Sequence, residues 1–250
     1  QTDGTGPKVL FEGQDKAWDG YFDVFTRDAL TVFQFGLTKH ADDHAARFQG
    51  FDGTILCDAE SRFNLVCETR DEANCNAHAV RKFRDAEQGQ PVLAKEAGDF
   101  LRAMYKLESE ARRLGLGEED LLELRQRKTR PIADQFKQWL ELVEPELLRS
   151  DPLGKAIRYY LNQYNELTYF IDHAEIPMDN NGCERLFQNH AKLRFNSLFA
   201  GSVEGGHRWA TIAGIVATAH KVGVDVFAYL IWAFERLGTH RKQFGLSAEQ

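Results

Sequence analysis

Asp179-Asn180-Asn181-Gly182-Cys183-Glu184-Arg185 sets a carboxylate and a guanidinium side by side at what reads as the start of a helix. Asp and Asn are favoured at the N-cap because their side-chain oxygens accept from the unpaired N–H groups of the first turn, which makes Asp179 and Asn180 the cap candidates. Glu184 then falls in the first turn or just beyond it, where the positive end of the helix dipole favours a charged carboxylate. Two readings fit. One is an ordinary capped helix with a dipole-compensating acid; the other is an acid aimed by its cap at a functional site. The run from Lys192 to Gly206 and two isolated upstream aspartates, Asp3 and Asp58, bear on the choice.

Composition narrows the class. The chain has 250 residues, enough for one elaborated domain or two small ones, and its 43% hydrophobic content with 18 Phe supports a sizeable core. A net charge of −7 argues against a stand-alone nucleic-acid binder held by bulk charge, though not against local basic patches. Cys57, Cys67, Cys75 and Cys183 form no CxxC pair and no small disulfide framework, so a reducing cytoplasm is expected. No apolar run has the length of a membrane span, and no signal peptide opens the chain. Gln1 is not an initiator Met, so the chain reads as an excised or processed piece with an N-terminal neighbour missing.

Outward from the motif, the first third reads as strands. Tyr21–Phe25 and Leu30–Phe35 are β-branched and aromatic segments flanking the polar Thr26-Arg27-Asp28, which predicts a hairpin; Pro7–Phe11 is a third candidate strand. Asp42–Phe48 has helical character. Thr54-Ile55-Leu56-Cys57 is a compact apolar run that suits a buried strand, with Asp58 at its C-terminal tip. From about residue 78 the helical period takes over. Ile132, Phe136, Trp139, Leu140, Val143 and Leu147 share one face, and Ile157, Leu161, Tyr164 and Leu167 share another. Residues 95–130 are densely charged and read as a solvated helical hairpin. Two further helices are expected around Trp209–Val216 and Phe227–Leu237.

Three acids stand out by context: Asp3 beside a first strand, Asp58 ending a buried one, and Glu184 opening a helix. Carboxylates of this kind bind magnesium or manganese, and two such ions can align an attacking and a leaving oxygen on phosphorus. Each acid alone also fits a turn or a cap. For Arg81, Lys82 and Arg84, a solvated helix face stands beside phosphate contact as an explanation.

The segment Ile176–Leu237 resembles the catalytic part of insertion sequence 66 family transposases. The likeness rests on Asp179-Asn180-Asn181, Glu184-Arg185, Arg194, Asn196, Leu198-Phe199, Gly201-Ser202, Gly205-Gly206 and Ala228-Tyr229-Leu230. Upstream, Phe51–Ala59 resembles the family's second-aspartate strand, and Cys75–Phe83 its Cys-x-x-His segment with the basic helix start that follows. Thr2-Asp3-Gly4-Thr5 fits the first-aspartate position. Two departures are Gln188 and Phe195, where many relatives carry basic residues; Lys192 and Arg194 remain.

The resemblance implies an α/β (α+β) fold, a ribonuclease H-like mixed sheet flanked by helices. Asp3 would lie on the first strand, Asp58 at the end of the fourth, and Glu184 on a later helix. Residues 1–88 would form the first part of this core, 89–170 an all-helical insertion between the second and third acids, and 171–250 the C-terminal helices. By the same resemblance, Asp3, Asp58 and Glu184 are the catalytic, metal-binding triad for Mg2+ or Mn2+. Arg81, Lys82, Arg185, Lys192, Arg194 and Asn196 are the DNA-contact candidates, supported by Asp179, Asn180, Asn181, Cys75 and His78. His78 reads equally well as an ordinary structural histidine. The implied activity is DNA strand cleavage and strand transfer on transposon-end and target DNA, in a bacterial cytoplasm and at the nucleoid when bound. A homo-oligomer on DNA and helper proteins of the same element are candidate partners, and no membrane is involved. The rivals are a metal-dependent nuclease of the same fold and an inactive remnant that only binds DNA or a partner.

Overall fold

The computed structural model describes residues 2–5, 8–10, 16–60, 63–186 and 199–244, by backbone alone at 2–5 and 240–244. In chain order the strands are β1 (Thr2–Thr5), β2 (Lys8–Val9), β3 (Trp18–Asp19), β4 (Tyr21–Arg27), β5 (Leu30–Gly36), β6 (Ile55–Cys57) and β7 (Glu72–Asn74). Helix α1 (Ala41–Arg47) precedes β6, α2 (Asn64–Cys67) separates β6 from β7, and α3 (Asn76–Ala86) follows β7. Then come α4 (Pro91–Leu114), α5 (Glu118–Leu124), a π-helical turn (Arg125–Thr129), α6 (Arg130–Val143), α7 (Pro152–Asn162) and α8 (Tyr164–Thr168). Residues 181–186 form α9, followed by α10 (Val203–Lys221) and α11 (Val226–Phe244).

The fold is mixed α/β and mostly helical. Among the described residues the strands pair as three small sheets, β1-β4-β5, β2-β3 and β6-β7. Asp58 follows the sixth strand in chain order; it follows the fourth only if the two-residue pair β2-β3 is left out. The chain divides into two compact units, Gln1–Asp3 with Lys39–Arg185, and Gly4–Thr38 with Leu186–Gln250. No helix among the described residues is long and apolar enough to cross a membrane.

The first unit is built on one aromatic core. Phe136, Leu140, Ile157 and Leu167 of the two expected apolar faces are fully buried with Phe83, Leu101 and Tyr160. Phe136 stacks on Phe100 at 5.1 Å and meets Tyr160 at 4.7 Å between ring centres. The second expected helix is broken. It ends at Asn162 and restarts at Tyr164, because Gln163 leaves the helical region at φ −112°, ψ 19°. Pro152 starts α7 behind Asp151, whose Oδ1 accepts from Leu153 N at 2.9 Å.

Burial holds the Tyr160 phenol well above its ordinary value of 10, and burial, then the Asp134 acceptor at 2.9 Å, pushes Tyr164 up to about 12. Both shifts favour the neutral form. Their contribution to stability is therefore complete below pH 10 and lost as pH rises through the folded-state values. In an alkaline titration, tyrosinate absorbance and loss of helical circular dichroism should rise together above that pH. Ionisation of all seven tyrosines near pH 10 in a still-helical protein would contradict the buried placement.

The second unit lays α10 on the β4–β5 hairpin. The strands pair antiparallel from Tyr21↔Gly36 to Arg27↔Leu30, two residues past the expected end of the first strand at Phe25. Asp28 takes the left-handed conformation at φ 49°, which Asp tolerates better than most residues. Phe22 touches both Phe35 and Trp209, at 5.3 and 5.2 Å. Thr218 Oγ1 donates to Thr31 O and accepts from Thr31 N, both at 3.1 Å. A Cβ on Gly206 would lie 2.6 Å from the Phe35 ring, and one on Gly205 2.2 Å from Ala200 O. Gly206→Ala should thus lower unfolding stability by about 1–3 kcal/mol through overpacking, read as a lower urea midpoint for this unit. An unchanged midpoint would contradict the close approach of α10 to β5. Phe227, Trp232, Phe234 and Leu237 of α11 are exposed.

Candidate active site

The site grows from the parallel pair β6–β7. Ile55, Leu56 and Cys57 are buried, and their register sets Cys57 opposite Asn74. Asp58 follows at the carboxyl end of β6 and is half-buried. Ala59 adopts φ 58°, a left-handed conformation that costs a residue with a Cβ about 1–2 kcal/mol. This turn reverses the chain directly after the acid, and Asp58 Oδ1 accepts from Glu60 N at 3.3 Å.

From β7 the chain enters α3 through Cys75, whose N donates to Cys57 O at 2.9 Å. That bond ties the helix start to the residue before Asp58. The buried Cys75 Sγ in turn accepts from Asn180 N at 3.4 Å. Asn76 completes the joint: its amide donates to Leu167 O at 2.8 Å and Met178 O at 3.1 Å, and its backbone N donates to Met178 O at 3.2 Å. Two consecutive residues at the start of α3, its cap Cys75 and Asn76, therefore hold the segment that leads into the Asp179 motif.

Within the motif, Asp179 Oδ1 accepts from Asn181 N at 3.0 Å and Oδ2 accepts from the Asn181 amide at 2.6 Å. Asn180 O accepts from Cys183 N and Glu184 N, at 2.8 and 3.2 Å. Asp179 and Asn180 thus start α9, and Glu184 sits just past its first turn, as the spacing predicts. The Glu184 carboxylate is 28% exposed and lies 3.9 Å from the Arg81 guanidinium. Donor atoms of Cys75, His78 and Glu184 lie within 4.8 Å of one another. The buried His78 Nδ1 has no hydrogen-bond partner among the described residues.

Two tyrosines register both acids. Burial, then the Asp179 carboxylate, hold the Tyr105 phenol far above its usual range, with Cys75 and Glu184 adding to the effect. Burial, then Cys75 and Asp58, do the same to Tyr159. Burial pushes the Cys75 thiol up to about 11. At neutral pH, Cys75 is therefore a protonated packing group rather than a thiolate.

The structure brings Asp58, Cys75, His78, Arg81, Asp179, Asn180, Asn181 and Glu184 to one locality. Lys82 instead places its ammonium 4.4 Å from the centre of the Tyr159 ring, and Arg185 is exposed. Asp3 lies on β1 in the same compact unit as Asp58 and Glu184, but its side chain is outside the described set. Lys192, Arg194 and Asn196 also lie outside the described residues, as do Gln188 and Phe195.

A sequence model of the Transposase IS66 family matches residues 1–208. The chain belongs to this family. Among curated relatives of this IS66-family chain, the uncharacterized protein y4jD of Sinorhizobium fredii is 30% identical over 233 residues, covering 89% of the chain and 44% of the relative. The uncharacterized protein y4qI of the same organism is 30% identical over 258 residues, covering 94% and 47% respectively. The chain thus spans less than half the length of these relatives. No solved structure matches it.

Sequence reading missed three residues that shape this IS66-family site: Asn76, Tyr105 and Arg125. Arg125 is buried, and its guanidinium meets five acceptors, three of which share the two N–H groups of one terminal nitrogen. Two contacts go to Glu108 at 2.8 Å, and three go to Phe170 O, His173 O and Ile176 O at 2.7, 2.9 and 3.1 Å. It lies in the stretch read as a solvated hairpin. Charge density gave that reading, and only the depth of the fold at one position overturns it. Asn76 carried a signal in its place between Cys75 and His78, but nothing in the sequence names its acceptors.

Proposed function

We propose that this chain carries the catalytic core of a DNA transposase that cleaves and joins phosphodiester strands. The core would be a ribonuclease H-like sheet with its helical insertion at 89–170, and Asp3, Asp58 and Glu184 would be the metal-holding acids. One observation carries the reading: Cys75 ties the Asp58 strand end to the Glu184 helix start through two hydrogen bonds, although the two acids are separated by the whole helical segment.

The residues present fit a hard divalent cation. Asp58 and Glu184 offer carboxylate oxygens, both only partly exposed, and the nearby Cys75 thiol is held protonated by burial. Magnesium or manganese bound there would polarise phosphorus-bound oxygens and align the attacking and leaving groups. The protein's own part is positioning. Asp179 and Asn181 lock the turn that aims Glu184, and the left-handed Ala59 turns the chain away behind Asp58. Arg81, half exposed beside Glu184, is in reach of a DNA phosphate and offsets the charge of the acids. Arg185, Lys192, Arg194 and Asn196 would extend the DNA contacts along the strand, and more than one protomer would be needed to hold two transposon ends.

The test is a joining assay with a pre-cleaved transposon-end duplex, a supercoiled target plasmid and magnesium. Covalent joining of the 3′ end to target is the expected product. Target nicking without joining would replace this reading with a nuclease, and DNA binding without either product would replace it with an inactive remnant.

A further inference from the structure

A second cluster of donor side chains gathers on the β6–β7 pair and supplies none of the acids of the site described above. Cys57, Cys67 and Glu72 present Sγ, Sγ and a carboxylate oxygen all within 4.8 Å of one another. Cys57 Sγ lies 3.6 Å from Glu72 Oε1 and 3.4 Å from Asn74 Oδ1. The parallel register explains the grouping. Cys57 stands opposite Asn74, and Glu72 is two residues before Asn74, on the same face of the pair. Helix α2 then returns Cys67 to the same face. The Asn74 amide is fixed with its oxygen toward Cys57 because its Nδ2 donates to Gln163 Oε1 at 2.8 Å.

The geometry points to a zinc-class cation site formed by Cys57, Cys67 and Glu72, with Asn74 Oδ1 as a fourth oxygen. In a tetrahedral site with zinc–sulfur bonds of about 2.3 Å and zinc–oxygen bonds of about 2.1 Å, sulfur–oxygen edges are about 3.6 Å and the sulfur–sulfur edge about 3.8 Å. The two measured Cys57–oxygen separations fall at or close to that sulfur–oxygen edge, and the limit on the Cys57–Cys67 separation includes the sulfur–sulfur edge. Sulfur donors select zinc over magnesium, which separates this site from the oxygen-rich one at Asp58 and Glu184. Cys67 and Glu72 are half-buried while Cys57 is fully buried, so the ion enters from the α2 side. The surroundings also favour a built site. Cys57 packs with the apolar Ile55, Phe63 and Val66, and yet two polar oxygens converge on its sulfur. The ion clamps α2 to the strand tip immediately before Asp58. The sequence hides the set because Cys57 and Cys67 lack CxxC spacing.

The probe is Co2+ added to the reduced protein, followed by thiolate-to-metal charge-transfer absorption and displacement by Zn2+. One equivalent of Co2+ should give a two-thiolate spectrum, and Zn2+ should raise Tm. Cys67→Ser should weaken binding by about 100-fold or more, and Cys75→Ser should leave it intact. X-ray absorption on the zinc-loaded wild type needs no variant to fold and should count two sulfur ligands. No charge-transfer band, or one sulfur with an imidazole, would overturn the proposal. So would a band that survives Cys67→Ser and is lost in Cys75→Ser, since that places the ion at Cys75, His78 and Glu184. None of these readouts depends on strand transfer.

Discussion

Arg125→Met should lower unfolding stability by about 3–5 kcal/mol, a large share of the ~5–15 kcal/mol that holds a typical domain. The guanidinium is 2% exposed and its Glu108 partner 11% exposed, so removing Arg125 leaves a nearly buried carboxylate without its counter-charge. It also strips one donor from each of three backbone carbonyls, Phe170, His173 and Ile176. Those carbonyls lie in the stretch that enters the Asp179 motif, so the loss should reach the site as well as the fold. Arg125→Lys keeps the charge but cannot make the two-pronged contact with Glu108, and should still cost about 1.5–3 kcal/mol. Replacing Glu108 with Leu in the Arg125→Met background should recover part of the loss, because no lone charge is then buried; the three carbonyls stay unpaid. Urea midpoints across the four proteins test the point. A wild-type midpoint for Arg125→Met would show that the buried pair is not holding the segment.

On the proposed role of Glu184 as a metal-holding acid, Glu184→Gln should reduce strand joining by about 1,000-fold while leaving the fold intact, a loss of about 4 kcal/mol of transition-state stabilisation. Its structural cost is small. The Arg81 contact is long, at 3.9 Å, and Arg81 is half exposed, so the pair contributes at most about 1 kcal/mol. The helix start depends on Asp179, Asn180 and Asn181 rather than on the Glu184 side chain. Far-UV circular dichroism and the urea midpoint should therefore match wild type when joining is lost. Asp179→Ala should behave differently: it removes the acceptor of two hydrogen bonds to Asn181, so fold and activity fall together.

The helical core was legible because its signal is periodic and local: Phe136, Leu140 and Ile157 follow the helical spacing and are fully buried. The β4–β5 hairpin and the buried run before Asp58 were legible for the same reason. What stayed hidden depends on contacts between distant segments. Asn76 finds its acceptors 91 and 102 residues away, and Arg125 finds carbonyls 45 to 51 residues away. A polar residue on a charged helix carries no mark of such a partner. The break at Gln163 was missed because Ile157, Leu161, Tyr164 and Leu167 keep their spacing across one non-helical residue. Gly205 and Gly206 stood out as part of the family pattern, but their cause, the Phe35 ring and Ala200 O, lies outside that pattern. The motif itself divided as its residue types suggest. Asp179 and Asn180 form the cap, and Glu184 is the partly exposed acid beside Arg81.

The most direct test of the account is Mn2+ uptake followed by electron paramagnetic resonance in wild type, Asp58→Asn and Glu184→Gln. Shared ligation by the two acids predicts that each substitution weakens Mn2+ binding strongly in a protein that keeps its helical spectrum. Mn2+ binding equal to wild type in both variants would contradict it.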